Sequence, residues 1–440
     1  MCYTLLHSDR LVADTAKVHP MDLRSRLRRA DKLRRSSATA QTPSDPAPGI
    51  PLDELLKGEW VETDTGRCLV IRETFSLDHV HGSLPLGALL DLPSGLWSPF
   101  LEPGQVLNPR QALFIDTETT GLGRGTSVAF EVGIGYFVDD AFCLVQYFMP
   151  DYGDEGALLD LLAEDLERRP GMVSFNGRAF DWPILQSRYI LTRRQPPVLS
   201  GPHLDLLTMS RRLWRNRLAS CSLGSLETHI LGLERSDQDV PGFMIPQLYD
   251  DYVRHGRSGP MADVIYHNAV DVLSMVTLAA QVGRLLQPPQ AAPSDCICDP
   301  VALGRLYERV GIADRAIDWY RLAQDADDAA VGQAADRHLS FVYKRMGRHS
   351  QAAAIWERRL GGQEPYPYIE LAKHLEHRER DYDRARDVVE LAIEQLCGQP
   401  GRRGDPDLLA DLEHRRQRLM RRQLSAKKRA PSTDGEICQS

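Results

Sequence analysis

At 440 residues the chain exceeds the size at which one hydrophobic core keeps growing, so two or more folded units are expected. Hydrophobic residues at 42% and charged residues at 26% are ordinary for a globular protein, and no apolar stretch approaches the ~20 residues of a membrane-spanning helix. The formal net charge of −8 argues against a protein that coats nucleic acid nonspecifically, though not against a local basic track.

The first 51 residues read as a basic, largely disordered segment. DLRSRLRRADKLRR (22–35) clusters positive charge, and SSATAQTPSDPAPGIP (36–51) has a linker's composition and no apolar periodicity. MCYTLLHSDRLVADTAKVHP (1–20) lacks the charged-then-apolar layout of a signal peptide, and the eight cysteines show no paired framework, which makes a reducing cytoplasm the expected setting, with no membrane partner. Cys296 and Cys298 lack companions at zinc-site spacing and read as ordinary thiols. Residues 52–109, with the strand-like GRCLVIRETF (66–75), form a lead-in expected to pack on the domain that follows.

Across 110–287 three apolar strand-like runs (ALFID, FEVGIGYFV, AFCLVQYFM) precede a helical stretch, another apolar run (GMVSFN) and then mostly helices. That order predicts an α/β unit with a mixed central sheet flanked by helices. Prolines in QPPQAAP (287–293) place a linker at 288–298. From 299 to 400 the chain predicts an all-α helical repeat: Ala316, Ala352 and Ala385 recur at spacings of 36 and 33 residues, each followed four positions later by Tyr320, Trp356 and Val389. These spacings resemble the ~34-residue tetratricopeptide repeat, in which a small residue lets two helices approach while an aromatic fills the gap; a generic helical bundle is the alternative. Residues 401–440 form a charged tail, helical or disordered.

Three segments carry chemistry. In LFIDTETTGLG (113–123), Asp116 and Glu118 end an apolar strand on one face, ~7 Å apart, where they repel unless cations lie between them. In VSFNGRAFDWPIL (173–185), Asp181 follows an Asn-Gly turn. In VIYHNAVDVLSMVTL (264–278), His267 lies four residues before Asp271, on one helical face. The ordered set D-x-E-T-T-G-L, N-G-x-x-F-D-x-P and H-N-x-x-D resembles the three motifs of the DEDD 3′-5′ exonucleases, which have the ribonuclease H-like fold, and within that superfamily the bacterial YprB-type branch.

The resemblance implies a metal-dependent hydrolase of phosphodiester bonds acting on ends of single-stranded DNA or RNA. It implies Asp116, Glu118, Asp181 and Asp271 as ligands of two Mg²⁺ or Mn²⁺ ions. Thr119, Gly121, Leu122, Asn176 and Phe180 occupy positions implied to touch substrate. The family carries His five residues, or Tyr four residues, before the last Asp; here Tyr266 stands at minus five and His267 at minus four. On a helix, minus four lies ~40° round from Asp271 and minus five ~140°, so His267 is the expected general base and Tyr266 is expected in the core. SRRLWRNR (210–217) adds Arg211 and Arg215 as substrate contacts, with Trp214 either stacking on a base or filling the core. His203 and Asp205 are read as supporting or structural. The competing reading is a non-catalytic adaptor that binds nucleic acid and uses its repeats for protein contacts; endonucleolytic cutting is a third.

Overall fold

The computed structural model describes residues 50–121, 126–235, 240–289, 299–397 and 406–429. Leu122, the Cys296/Cys298 pair, the N-terminal basic run and linker residues 290–298 lie outside the described residues.

A seven-stranded sheet organises the first half. Its strands are β1 (Glu59–Thr63), β2 (Gly66–Ser76), β5 (Ala112–Thr119), β6 (Ala129–Val138), β7 (Ala141–Phe148), β8 (Gly171–Ser174) and β9 (His203–Asp205), in the order β1-β2-β7-β6-β5-β8-β9. A short helix, α1 (Leu52–Leu56), precedes β1, and two short strands, β3 (Val80–His81) and β4 (Leu84–Pro85), pair separately. From β1 to β5 all neighbours are antiparallel; β8 and β9 add in parallel. Parallel strands require crossovers, supplied here by helices α2 (Glu155–Arg168) and α3 (Asp181–Leu191). The lead-in is woven into the sheet itself, since β2 pairs with β7 along eight residues, from Leu69↔Phe148 to Ser76↔Ala141.

Period-2 alternation sorts β5 between two cores. Leu113 and Ile115 pack with α2, whereas Ala112 and Phe114 face α7 (Ser258–Leu286), which runs across the opposite side. Asp116 and Glu118 continue the Ala112–Phe114 face. On β6 the residues of that face are Glu131, Gly133, Gly135 and Phe137. A Cβ on Gly133 would lie 1.9 Å from Asn268 Oδ1, and one on Gly135 2.8 Å from Val272 Cγ1. Bare backbone at these two positions is what lets α7 lie close against the strand.

By length and mean hydropathy (29 residues, 1.4) α7 would pass for a membrane span, which corrects the expectation that no stretch approaches that length. Its most apolar window is 89% buried inside the fold, because sheet and helices pack around it from Asn268 onward. A single polar residue such as Asn268 or Thr277 is masked by the apolar average around it.

Beyond α4 (Leu206–Trp214), α5 (Leu223–Leu226) and α6 (Ile245–His255), the C-terminal half is helical. Three hairpins follow: α8 (Pro300–Arg309) with α9 (Ala313–Gln324), α10 (Ala329–Arg345) with α11 (His349–Arg358), and α12 (Tyr366–His374) with α13 (Tyr382–Cys397). All six recurring small and large residues, Ala316, Tyr320, Ala352, Trp356, Ala385 and Val389, are buried. Gly304 shows the reason for the pattern, as a Cβ there would meet the Tyr320 ring at 2.4 Å. One hydrophobic core runs from Phe114 through α7 into the hairpins, and the Tyr307 hydroxyl bonds the carbonyl of Leu286 across the junction. The described part of the tail is one helix, α14 (Pro406–Arg429), whose Arg415 and Arg418 clasp the buried Glu376.

Candidate active site

Strand β5, the start of α3 and the middle of α7 bring Asp116, Glu118, Asp181 and Asp271 within electrostatic reach of one another. Asp116 accepts from Asn268 Nδ2 at 3.0 Å, a bond made possible by the bare Gly133 beneath it. Asp181, the first residue of α3, is held by Thr117 Oγ1 at 2.5 Å; its side chain does not cap the helix. Buried carboxylates within electrostatic reach of one another raise one another's proton affinity. Burial first, then the charges of Asp271, Asp181 and Glu118, push Asp116 well above the usual carboxylate range. Burial likewise raises Glu118, followed by Glu131, Asp271 and Asp181. Asp181 is pushed up to about 6, chiefly by burial.

A fifth acid was not anticipated from the motifs. Glu131 lies directly across the ladder from Glu118 and is fully buried. Gln146 Nε2 reaches its Oε1 at 3.0 Å, while its Oε2 has no hydrogen-bond partner among the described residues. Burial and the charge of Asp116 push it well above the normal range. Its only sequence signal is an acid sharing period-2 register with two glycines in an otherwise apolar strand, Glu131-x-Gly133-x-Gly135.

Arg235 was also missed, since it follows the motif-free stretch after Gly232 and nothing local marks it. Its guanidinium grips Glu227 through Nε to Oε2 at 2.5 Å and Nη2 to Oε1 at 2.7 Å, bonds Asp271 Oδ1, and donates from Nη1 to Nδ1 of His267 at 2.9 Å. A buried relay stands behind it. Ser274 Oγ donates to Glu227 Oε1 at 2.6 Å and therefore accepts from His81 Nε2 at 2.8 Å, which ties the β3–β4 hairpin to the site.

His267 lies mid-helix in α7 on the face of Asp271, with Nε2 3.9 Å from Glu118 Oε1 and 3.8 Å from Asp271 Oδ2. Tyr266 corrects the expectation: it is 40% exposed, because one residue earlier on the helix Ile265 takes the inward direction. Among the described residues no three His, Cys, Asp or Glu side chains converge on one point as ligands of a single ion; Arg235 is the cation that meets the acids.

The remaining positions divide. Thr119 is buried and its hydroxyl donates to Gly121 O at 2.7 Å, shaping the loop after β5. Asn176, in the left-handed region at φ 69°, closes the turn before α3, and its amide bonds Asp205 Oδ1 at 3.0 Å. Phe180, half-buried, is the N-cap residue of α3, just before Asp181. Asp205 caps α4 through Leu207 N, and His203 bonds Ser174 Oγ at 2.7 Å, both structural roles. Trp214 fills the core, which settles its two readings against stacking. Arg211 and Arg215 lie at the far end of α4 from Asp205, apart from the acids.

A mixed sheet with parallel strands added beyond β5, and acids at its carboxyl end, defines a ribonuclease H-like protein, and residues 113–282 match the model of the RNase_H superfamily. The chain is 30% identical over 342 residues to "Uncharacterized protein YprB" of Bacillus subtilis (strain 168), spanning 74% of this chain and 80% of that one. It belongs to the YprB family within the RNase H superfamily.

Proposed function

We propose that the protein is a divalent-metal-dependent 3′-5′ exonuclease of the DEDD type that shortens single-stranded DNA or RNA. The observation carrying this reading is the gathering of Asp116, Glu118, Asp181 and Asp271, from three separate segments, into one group of mutually interacting carboxylates. Among the described residues these five buried or half-buried acids, Glu131 included, meet one arginine, Arg235, an excess of negative charge that a structural role does not require. The donors are all hard carboxylate oxygens, which fits Mg²⁺ or Mn²⁺, and the unpartnered Oε2 of Glu131 fits the same excess.

Asp116, Glu118, Asp181 and Asp271 would hold the ions. When bound, these supply the charge that lowers the pKa of a water and offsets charge on the leaving oxygen. The rest is done by the chain. Asn268 and Thr117 fix the orientation of Asp116 and Asp181. His267 takes the proton of the attacking water after Arg235 has withdrawn from its ring. Thr119, Gly121, Leu122, Asn176 and Phe180 would contact the terminal nucleotide. The helical hairpins serve as a tetratricopeptide-like module.

The test is degradation of 5′- and 3′-labelled single-stranded DNA and RNA with Mn²⁺, comparing wild type with Asp116→Ala. Stepwise loss from the 3′ end that vanishes in the variant is expected; shortening that survives the substitution overturns the assignment.

A further inference from the structure

The last turn of α4 faces α8, the first helix of the hairpins. Arg211, Arg212 and Arg215 from one side and Arg305 and Arg309 from the other line a cavity of about 90 Å³, together with Asn216. Among the described residues none of these five arginines is paired with a carboxylate or makes a side-chain hydrogen bond. Of the five, Arg212 is half-buried and the other four are exposed, whereas Arg188, Arg235 and Arg418, also half-buried, are paired with Glu155, Glu227 and Glu376. Five like charges brought onto one seam in a chain of net charge −8 make a local basic patch, held in place by the apolar packing beneath. Leu213 and Trp214 on α4 and Leu303, Leu306 and Tyr307 on α8 are all buried in one core. Burial and the Arg309 guanidinium lower the proton affinity of Arg212, as expected of cations lacking a counter-charge.

We propose that this seam binds the phosphodiester backbone of the strand whose end the acidic site takes, a few nucleotides upstream of the scissile bond. The inference rests on the nuclease reading and gives α8 a direct part in holding substrate. Helix α4 supplies the connection. Its cap, Asp205, bonds the amide of Asn176 and raises the proton affinity of Asp181, so α4 begins beside the acids. At 1.5 Å per residue, Arg211 to Arg215 lie roughly 9 to 15 Å along the axis from Asp205. Because Trp214 is sealed in the core, the seam offers cations without that ring as a stacking platform. Recognition there is by phosphate, hence indifferent to base sequence and sensitive to salt.

The test measures binding by fluorescence anisotropy in Asp116→Ala protein, which cannot cut, using oligothymidylates of ~4 and ~20 nucleotides labelled at the 5′ end. Arg305→Glu/Arg309→Glu is expected to weaken the longer ligand by about tenfold or more and to flatten its salt dependence by about 1 to 2 in log-log slope, while the shorter ligand changes less than about twofold. Arg305→Gln/Arg309→Gln should fall between, and an unchanged melting temperature establishes that each variant is folded. Equal affinity of wild type and the folded Glu variant for the longer ligand overturns the proposal, as does equal weakening of both lengths. So does loss of binding to poly-glutamate with nucleic-acid affinity intact, which would assign the seam to an acidic protein segment. If wild type cuts neither DNA nor RNA yet the length-dependent loss is seen, the seam stands and the nuclease reading fails.

Discussion

Arg235 donates from Nη1 to Nδ1 of His267 across 2.9 Å, and an arginine has nothing to accept with. Nδ1 is therefore the acceptor, and the neutral ring carries its proton on Nε2, the nitrogen turned toward Glu118 and Asp271. A general base needs a lone pair there. In the metal-free protein, proton–nitrogen correlation NMR should find His267 as the Nε2–H tautomer, and addition of Mg²⁺ should shift it to Nδ1–H. A metal-free ring already protonated on Nδ1 would break the link between Arg235 and the base.

Glu227 is wholly buried and Arg235 is its cation. Arg235→Gln leaves that charge unpaired, which costs about 3 to 5 kcal/mol. Adding Glu227→Gln should restore most of the loss, since neutral amides then replace both charges. Urea unfolding of the two variants separates these outcomes; equal stability of single and double variant would mean the pair carries no such role.

The folded framework was largely legible because it rests on local periodicity. The runs ALFID, FEVGIGYFV and AFCLVQYFM became β5, β6 and β7, and the recurring Ala316, Ala352 and Ala385 lie buried within helical hairpins. Asp116 and Glu118 stood out as two acids on one face at a strand end, whereas Asp181 and Asp271 were singled out only by the order of the three motifs; the fold brings all four within electrostatic reach. Glu131 and Arg235 were not, since a buried acid on a glycine-bearing strand and an arginine in a loop acquire meaning only when distant segments meet. Tyr266 failed for a related reason: helical spacing gives its angle to Asp271 but not which side of α7 is covered.

Gly133→Ala places a methyl 1.9 Å from Asn268 Oδ1. Helix and strand must separate, at about 1 to 3 kcal/mol for overpacking, and Asn268 loses its hold on Asp116. Thermal unfolding should show the loss, accompanied by a fall in Mn²⁺ affinity; wild-type values for both would show that the close approach is not needed.

Burial lowers His81 to about 4, with Glu227 opposing. Its folded pKa lies below the unfolded value near 6.5, so its contribution is present above pH 6.5 and is lost as pH falls through 6.5 toward 4. By pH 5 the loss is roughly 2 kcal/mol. His81→Gln keeps a donor toward Ser274 but cannot titrate, so wild type should lose that much more stability than the variant between pH 7 and pH 5. Parallel pH profiles would refute the attribution.

Crowded acids predict an inverse effect at Asp116. Asp116→Asn removes one repelling charge and should leave the metal-free melting temperature at or above that of wild type. Wild type should gain about 2.7 kcal/mol at a hundredfold excess of Mn²⁺ over Kd, and the variant should gain almost nothing. Equal stabilisation of both proteins would place the ion elsewhere.

Helix α7 is one unbroken rod of 29 residues. His267 and Asp271 sit in its first half, and its last carbonyl is bonded by Tyr307 at the base of the hairpins. From Asp271 to Leu286 is about 22 Å of rigid lever at 1.5 Å per residue. A tilt of the hairpin module transmitted at that pivot swings the last acid relative to the sheet-borne pair, giving the C-terminal half mechanical leverage over the spacing of the carboxylates without touching them.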